Sequence, residues 1–286
     1  MAVRKAVVPA AGLGTRTLPA SKAVPKELLP VVDKPVIQYT VEEIARARIR
    51  EVCIVISRGK EAIADHFGPN SELESALEER GKVALLDEIR AIQRLAEISY
   101  AKQDEPLGLG HAVLCARDQV GEEPFAVALP DEIYDPGENL LGEMVASFEQ
   151  DGTSVIAVTE VPHEEIGLYG SIDPEGDGEF LRVRSVVEKP EPSEAPSNLA
   201  VIGRYVLEPR IFDVLEDLGP GTGGEIQLTD GLEVLAREGR LSARVYRGRR
   251  WDVGKKDSYL EAVVALAAER PDLGEDFRGF LDRFRP

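Results

Sequence analysis

With 286 residues, 43% hydrophobic and 30% charged, the chain can bury a large core, either as one domain or as a domain with a sizeable insertion. A net charge of −18 excludes nucleic acid and anionic membrane as general partners, and no apolar run approaches the roughly 20 residues a bilayer span needs. Cys53 and Cys115 are too few and too far apart for a disulfide framework or a zinc site, and Met1 to Lys5 run straight into the first strand without a leader. A cytoplasmic location is expected.

Lys5–Pro9 reads as a buried strand. It breaks at Pro9 into Ala10-Ala11-Gly12-Leu13-Gly14, with Arg16 following at once and then Lys22 and Lys26. Glycines let the backbone approach a ligand and turn its N–H groups inward, and fixed cations beside such a nest favour a phosphate chain. The stretch is not a full dinucleotide fingerprint, since Thr17 stands at the third glycine position. It is not a P-loop either, which needs Gly-Lys-Ser/Thr. Pro19, Pro25 and Pro30, without helical period, predict a rigid ligand-facing loop. On so acidic a chain this is a local basic island, and a divalent cation would supply the remaining positive charge.

A helix is predicted from 36 to about 48, with Ile37, Val41, Ile44 and Ala45 at helical spacing. Then come a strand at Glu51–Ile56, a short helix over 60–67, and one or two charged surface helices from 71 to about 96. A strand over 98–103, a helix over 108–116 and a strand over 125–129 complete the first half. This alternation predicts a mainly parallel sheet with helices on both faces. The second half is richer in strands, at 153–160, 181–188 and 198–206, with 169–173 also extended, a hairpin turn at 174–178 and a proline-rich loop at 190–196. Helices over 209–218 and 228–237, a strand over 243–247 and further helices follow. The last of these, 271–286, is charged and amphipathic, a packing or oligomer element.

In open α/β sheets ligands bind beyond the carboxyl ends of the strands. There the chain delivers the Gly12–Lys26 loop, Gln103 with the Gly108-Leu109-Gly110 turn, and Asp131. A side-chain amide carries a donor and an acceptor, so Gln103 could read a base edge, although alone it is an ordinary surface residue. Asp131 suits Mg²⁺, which takes one or two carboxylates and completes its shell with phosphate and water. Asp252, at the end of another strand-like run, is a second candidate for the same ion. In Glu188-Lys189 a carboxylate for vicinal hydroxyls adjoins a cation for phosphate, which together suit a sugar phosphate. The bland reading is an exposed ion pair.

These stretches combine into a family pattern: AAGLGTR (10–16), LPASKAVPKELLPVVDKPVIQY (18–39), Gln103, GLGHAV (108–113), LPD (129–131), YGSI (169–172), VVEKP (186–190), SNLAVIGRYVL (197–207), GGEIQLTD (223–230) and WDVGKK (251–256). In order and spacing, from residue 3 to about 265, the chain resembles the bacterial UTP–glucose-1-phosphate uridylyltransferases, a branch of the sugar nucleotidyltransferases. The resemblance implies a three-layer α/β/α, Rossmann-like fold of the glycosyltransferase A type, with a mainly parallel central sheet and a small β-rich sugar-binding part. One nucleotidyltransferase domain would span 1–270, with nucleotide binding over about 1–135 and sugar binding over about 150–250, followed by the helix at 271–286.

By matching motif, the resemblance implies that Ala10, Ala11 and Gly12 hold uracil together with Gln103 and Gly108. Gly14 and Glu27 belong to the same nucleotide-binding set. Arg16 and Lys26 would bind the triphosphate, Asp131 and Asp252 would hold Mg²⁺, and Gly170, Glu188, Val201 and Glu225 would contact glucose, with Lys189 on its phosphate. A phosphate oxygen of glucose 1-phosphate would attack the α-phosphorus of UTP in line and expel pyrophosphate. That needs alignment and charge neutralisation by Mg²⁺, Arg16, Lys26 and Lys189 rather than a protein nucleophile, with Asp131 joining the catalytic set as a holder of the metal. Relatives are commonly homodimers or homotetramers. Two departures stand out: Glu132 replaces a second aspartate, and Lys255 stands where Asp or Asn is common. The competing readings are a glucose-1-phosphate thymidylyltransferase, or another sugar-1-phosphate nucleotidyltransferase, and a non-catalytic UDP-glucose-binding regulatory paralogue. Lys22 has no assigned partner.

Overall fold

The computed structural model of the chain describes residues 1–221 and 224–284; Gly223 of the GGEIQLTD stretch, and Arg285 and Pro286 of the helix expected over 271–286, lie outside the described residues. In chain order the first half carries β1 (Lys5–Pro9), a hairpin of β2 (Pro30–Val31) and β3 (Lys34–Pro35), α1 (Val36–Arg46), β4 (Glu51–Ile56), α2 (Ala62–Phe67), α3 (Ser71–Glu79), α4 (Val83–Gln93), β5 (Glu97–Lys102), α5 (Leu109–Leu114), α6 (Arg117–Val120) and β6 (Phe125–Ala128). The second carries β7 (Glu132–Tyr134), α7 (Leu140–Asp151), β8 (Ser154–Glu160), β9 (Gly170–Glu175), β10 (Phe180–Glu188), β11 (Leu199–Leu207), α8 (Arg210–Leu218), α9 (Leu228–Arg237), β12 (Leu241–Val245), β13 (Arg250–Asp252), α10 (Lys256–Glu269) and α11 (Gly274–Arg283).

Because side chains alternate across a strand, each buried strand feeds two cores. Val7 joins one apolar cluster with Val55, Val127 and Ile156, packed under α5, α8 and α9; Ala6 and Val8 join another with Ile54 and Ala126, packed under α1, α2 and α7. Helices therefore cover both faces, giving the expected three layers.

One nine-stranded sheet runs through both halves in the order β5-β4-β1-β6-β11-β8-β12-β10-β9. The four strands of the first half are parallel, which lines up their carboxyl ends on one edge. β11 then pairs antiparallel with both β6 and β8, and of the remaining neighbours only β8 and β12 are parallel. The sheet is thus mixed, and the mainly parallel expectation holds for the first half alone. The helix expected to reach residue 48 stops at Arg46, because Arg48 takes a left-handed conformation with φ 65° that closes the turn. The strand expected over 243–247 runs from Leu241 to Val245, the span whose alternate residues Leu241, Ala243 and Val245 are buried. Among the described residues no helix is long and apolar enough to cross a membrane.

The small β7–β13 ladder has no counterpart in the sequence reading, and it decides the geometry of the site. It pairs Asp252 with Glu132 and Trp251 with Ile133, and the Val253 N–H donates to the Asp131 carbonyl at 2.9 Å. Two aspartates far apart in sequence are thereby placed side by side at the edge of the main sheet.

Candidate active site

Beyond the carboxyl ends of β1, β5 and β6 lies a cavity of about 420 Å³ lined by Ala11, Gly12, Gly14, Lys26, Gln103, Gly108, Leu129, Asp131 and Glu225, among others. Gly14 has φ 65°, as a tight turn around a ligand requires. Gln103 is buried, and its Nε2 donates to the Gly108 carbonyl at 3.1 Å and lies 3.0 Å from His111 Nδ1. The amide expected to read a base is thus oriented by the glycine turn and by His111.

Gly108 itself has φ 97°, and a Cβ built there would stand 2.8 Å from Glu225 Cβ and 2.9 Å from the Ile226 carbonyl. The 224–228 segment crosses this turn closely, with Ile226 N–H donating to Leu107 O at 2.7 Å and Gly110 N–H to Ile226 O at 2.8 Å. Gly108→Ala is therefore expected to cost about 1–3 kcal/mol in backbone strain and steric conflict, and to raise the KM for the nucleotide roughly ten-fold by lifting that segment off the cleft. Thermal melting and steady-state kinetics read the two effects separately. The same crossing places Glu225, expected on the sugar, in this first cavity with Gln103 and Gly108 and not in the cavity of Glu188.

A second cavity, of about 320 Å³, adjoins the first and is lined by Arg16, Asp131, Tyr169, Gly170, Glu188, Val201, Thr229, Asp252 and Lys255, among others. Leu109, Leu129 and Asp131 line both cavities, so the two open onto each other at the Asp131 carboxylate. Lys26 Nζ stands 2.6 Å from Asp131 Oδ2, and the Arg16 guanidinium spans the two acids, 3.5 Å from Asp131 and 3.5 Å from Asp252. Burial pushes the Asp131 carboxyl up, but Lys26 and Arg16 outweigh it and hold the group below its ordinary range. Asp252 moves the other way: burial raises it, and the neighbouring Asp131 and Glu132 charges add to that against Arg16. Arg16, expected on the triphosphate, thus bridges the carboxylates at the mouth of the second cavity.

Glu188, Gly170 and Val201, expected together on the sugar, all line this second cavity. Thr229, which carried no expectation, donates from Oγ1 to Glu188 Oε2 at 2.7 Å and fixes that carboxylate. Lys189 has φ 44°, a strained conformation for a residue with a Cβ, and its N–H donates to the Tyr169 carbonyl at 3.0 Å. Its side chain is largely exposed beside Glu188 and lines neither cavity. Lys255 does line the second cavity, with Nζ 3.2 Å from Tyr169 Oη. Glu132 is buried, with its carboxylate engaged by the Tyr134 hydroxyl at 2.5 Å, the Gly203 N–H at 3.2 Å and Arg250 at 3.2 Å. That departure is absorbed by the β7–β13 ladder. Of two further expected residues, Ala10 lines neither cavity, whereas Glu27 lines the first. Ala10 is fully buried, and the Glu27 carboxylate is taken by Lys60. Lys22 is exposed and lines neither cavity.

A model of the nucleotidyl transferase family matches residues 5–269. The chain belongs to the nucleotidyl transferase family. Within it, the chain is 47% identical over 281 residues to the UTP–glucose-1-phosphate uridylyltransferase of Bacillus subtilis, covering 98% of this chain and 96% of that protein. Among solved structures it is similar to the UTP-bound UGPase of Acinetobacter baumannii, with a TM-score of 0.92, 40% identity and coverage of 99% of this chain and 100% of that one. A UDP-glucose pyrophosphorylase complexed with UDP-glucose superposes with a TM-score of 0.84 at 40% identity, covering 94% of this chain and 100% of that one. For a nucleotidyl transferase the arrangement is chemically coherent. It offers two adjoining cavities for two substrates, a pair of acids, and two cations at the point where the substrates would meet.

Proposed function

We propose that the protein transfers the uridylyl group of UTP to glucose 1-phosphate, yielding UDP-glucose and pyrophosphate. The observation that carries this reading is the meeting of the two cavities at Asp131. A nucleotide in the Gly12–Gly108 cavity and a sugar phosphate in the Gly170–Glu188 cavity would bring their phosphates together there. A phosphate oxygen of glucose 1-phosphate forms the new bond to the α-phosphorus. The bond from that phosphorus to the bridging oxygen breaks, and pyrophosphate leaves with the electron pair. The attacking oxygen already carries negative charge, so no protein base is needed.

Asp131 and Asp252 fit a magnesium ion: both carboxylates face one cationic group, Arg16, at 3.5 Å, and Mg²⁺ prefers one or two carboxylates with phosphate and water. The chemistry it would supply there is neutralisation of phosphate charge. Lys26 and Arg16 compensate charge from the protein side, and Glu188, held by Thr229, orients sugar hydroxyls. Lys189 on the sugar phosphate requires its exposed side chain to fold inward; Lys255, already in the cavity, is a second cation within reach of the same group.

The test is to incubate the protein with glucose 1-phosphate, Mg²⁺ and each nucleoside triphosphate in turn, measuring pyrophosphate and sugar nucleotide. UTP is expected to give the fastest release. A dTTP rate above it would move the protein to the thymidylyltransferase reading, since uracil and thymine differ by one methyl, worth about 1–3 kcal/mol in a fitted pocket. No release with any triphosphate would leave only the non-catalytic binding role.

A further inference from the structure

Lys60 lies just before α2, is 8% exposed and lines neither cavity. Its Nζ donates to the Ala10 carbonyl at 2.5 Å, to the Gly12 carbonyl at 2.6 Å, and to both oxygens of Glu27 at 2.9 and 2.8 Å. Glu27 is 1% exposed. Burial draws the Lys60 amine below its ordinary range, and the Glu27 carboxylate works against that to keep the charge. A buried cation thus spends its hydrogen bonds on two carbonyls of the nucleotide loop.

The consequence follows from peptide geometry. A planar trans peptide points its C=O and N–H in opposite directions. With the carbonyls of Ala10 and Gly12 turned to Lys60, the N–H groups of Ala11 and Leu13 must face the other side, which is the cavity lined by Ala11, Gly12 and Leu13. Neither of these N–H groups has a hydrogen-bond partner on the backbone among the described residues. Glu27 also follows Lys26, whose Nζ holds Asp131 at 2.6 Å. The same buried pair therefore anchors both the glycine loop and the segment that carries the phosphate-side cation.

We propose that the Lys60–Glu27 pair is a positioning device for the nucleotide, presetting the Ala11 and Leu13 N–H donors and setting them in register with Lys26. The proposal rests on reading the Gly12–Gly108 cavity as the nucleotide site. Stability alone gives no reason for the pair, because buried ion pairs are often replaced by apolar residues of similar volume without loss.

Three variants test it: Lys60→Met, the all-apolar double variant Lys60→Met/Glu27→Leu, and Lys60→Arg. Each is followed by thermal melting, by UTP binding in calorimetry, and by the KM for glucose 1-phosphate at saturating UTP. Lys60→Met leaves Glu27 buried and unpaired, so it is expected to melt early. The double variant is expected to regain melting temperature while its Kd for UTP stays raised roughly 10- to 100-fold, as small misplacements of binding groups produce. Its KM for glucose 1-phosphate should rise several-fold less than its Kd for UTP, because the pair touches the nucleotide loop directly and reaches the second cavity only through Lys26 and Asp131. Lys60→Arg, which keeps the donors, should recover part of the UTP affinity. The proposal is overturned if the double variant folds and binds UTP as wild type does, if both substrates are lost equally, or if neither Met variant folds, which would make the pair general scaffold. Wild-type protein that binds no nucleotide would remove the reading of the cavity, and the positioning role with it.

Discussion

Asp131→Asn is expected to lower turnover by about a thousand-fold or more while the protein stays folded, read as pyrophosphate release beside a melting curve. Asp131 lines both cavities, and Lys26 and Arg16 converge on it at 2.6 and 3.5 Å. An amide has the same shape but supplies no negative charge, so two cations at the reacting phosphates lose their counter-charge and a metal loses a ligand. The fold is expected to tolerate the change. Arg16 is 58% exposed and Lys26 faces an open cleft, so water can solvate the cations that the substitution leaves behind. The melting temperature should move by a few degrees at most. Activity surviving within a few-fold would remove Asp131 from the metal and the reacting centre. Adding excess Mg²⁺ to the variant sharpens the comparison: partial recovery with concentration means weakened metal binding, and no recovery means lost charge alignment.

Much of this centre was legible because its parts obey local rules. A buried strand breaking into a small-residue turn with cations after it, and an aspartate two residues beyond another buried strand, are patterns a reader can place on a sheet edge without a structure. The convergence of Asp252 on Asp131 was legible only as a hypothesis. What brings it about is a ladder of three-residue strands, Glu132–Tyr134 against Arg250–Asp252, too short to leave a period in the sequence. The place of Glu225 beside Gln103 and Gly108 was hidden for a similar reason: it follows from the close crossing of Ile226 over Gly108 and Gly110, a contact between segments more than a hundred residues apart. Lys60 was out of reach because it stands at the start of the helix expected over 60–67, between Arg58 and Glu61, and nothing local distinguishes its buried lysine from the exposed residues around it. Arg204 did leave a signal. A lone charge inside the continuous apolar strand Leu199–Leu207 must be paired, and the sequence reading passed over it.

That residue supplies the second large effect. Arg204 is wholly buried and makes a forked contact with Glu43 of α1, with Nε 3.1 Å from both carboxylate oxygens and Nη2 2.7 Å from Oε2. Its remaining donors reach the Leu129 carbonyl at 3.0 Å, the Gly203 carbonyl at 2.8 Å and the Glu132 carbonyl at 3.0 Å, and its guanidinium carbon lies 4.4 Å from the centre of the Tyr134 ring. Leu129 and Glu132 bracket Pro130-Asp131, so one buried cation clamps the backbone on both sides of the shared carboxylate. Arg204→Met strands the Glu43 charge in the core and is expected to cost about 3–5 kcal/mol, a fall of roughly 10 °C in melting temperature for a chain of this size. Pairing it with Glu43→Leu removes the orphaned charge and should return most of that stability, since an apolar pair of similar volume commonly matches a buried ion pair. Activity is expected to stay low in the double variant, because the carbonyls of Leu129 and Glu132 lack their common donor and Asp131 is no longer held in line with Lys26 and Arg16. Melting and turnover measured on the two singles and the double decide the matter: recovery of both together would make Arg204 a stability element alone, whereas stability without activity marks it as the support that aims Asp131.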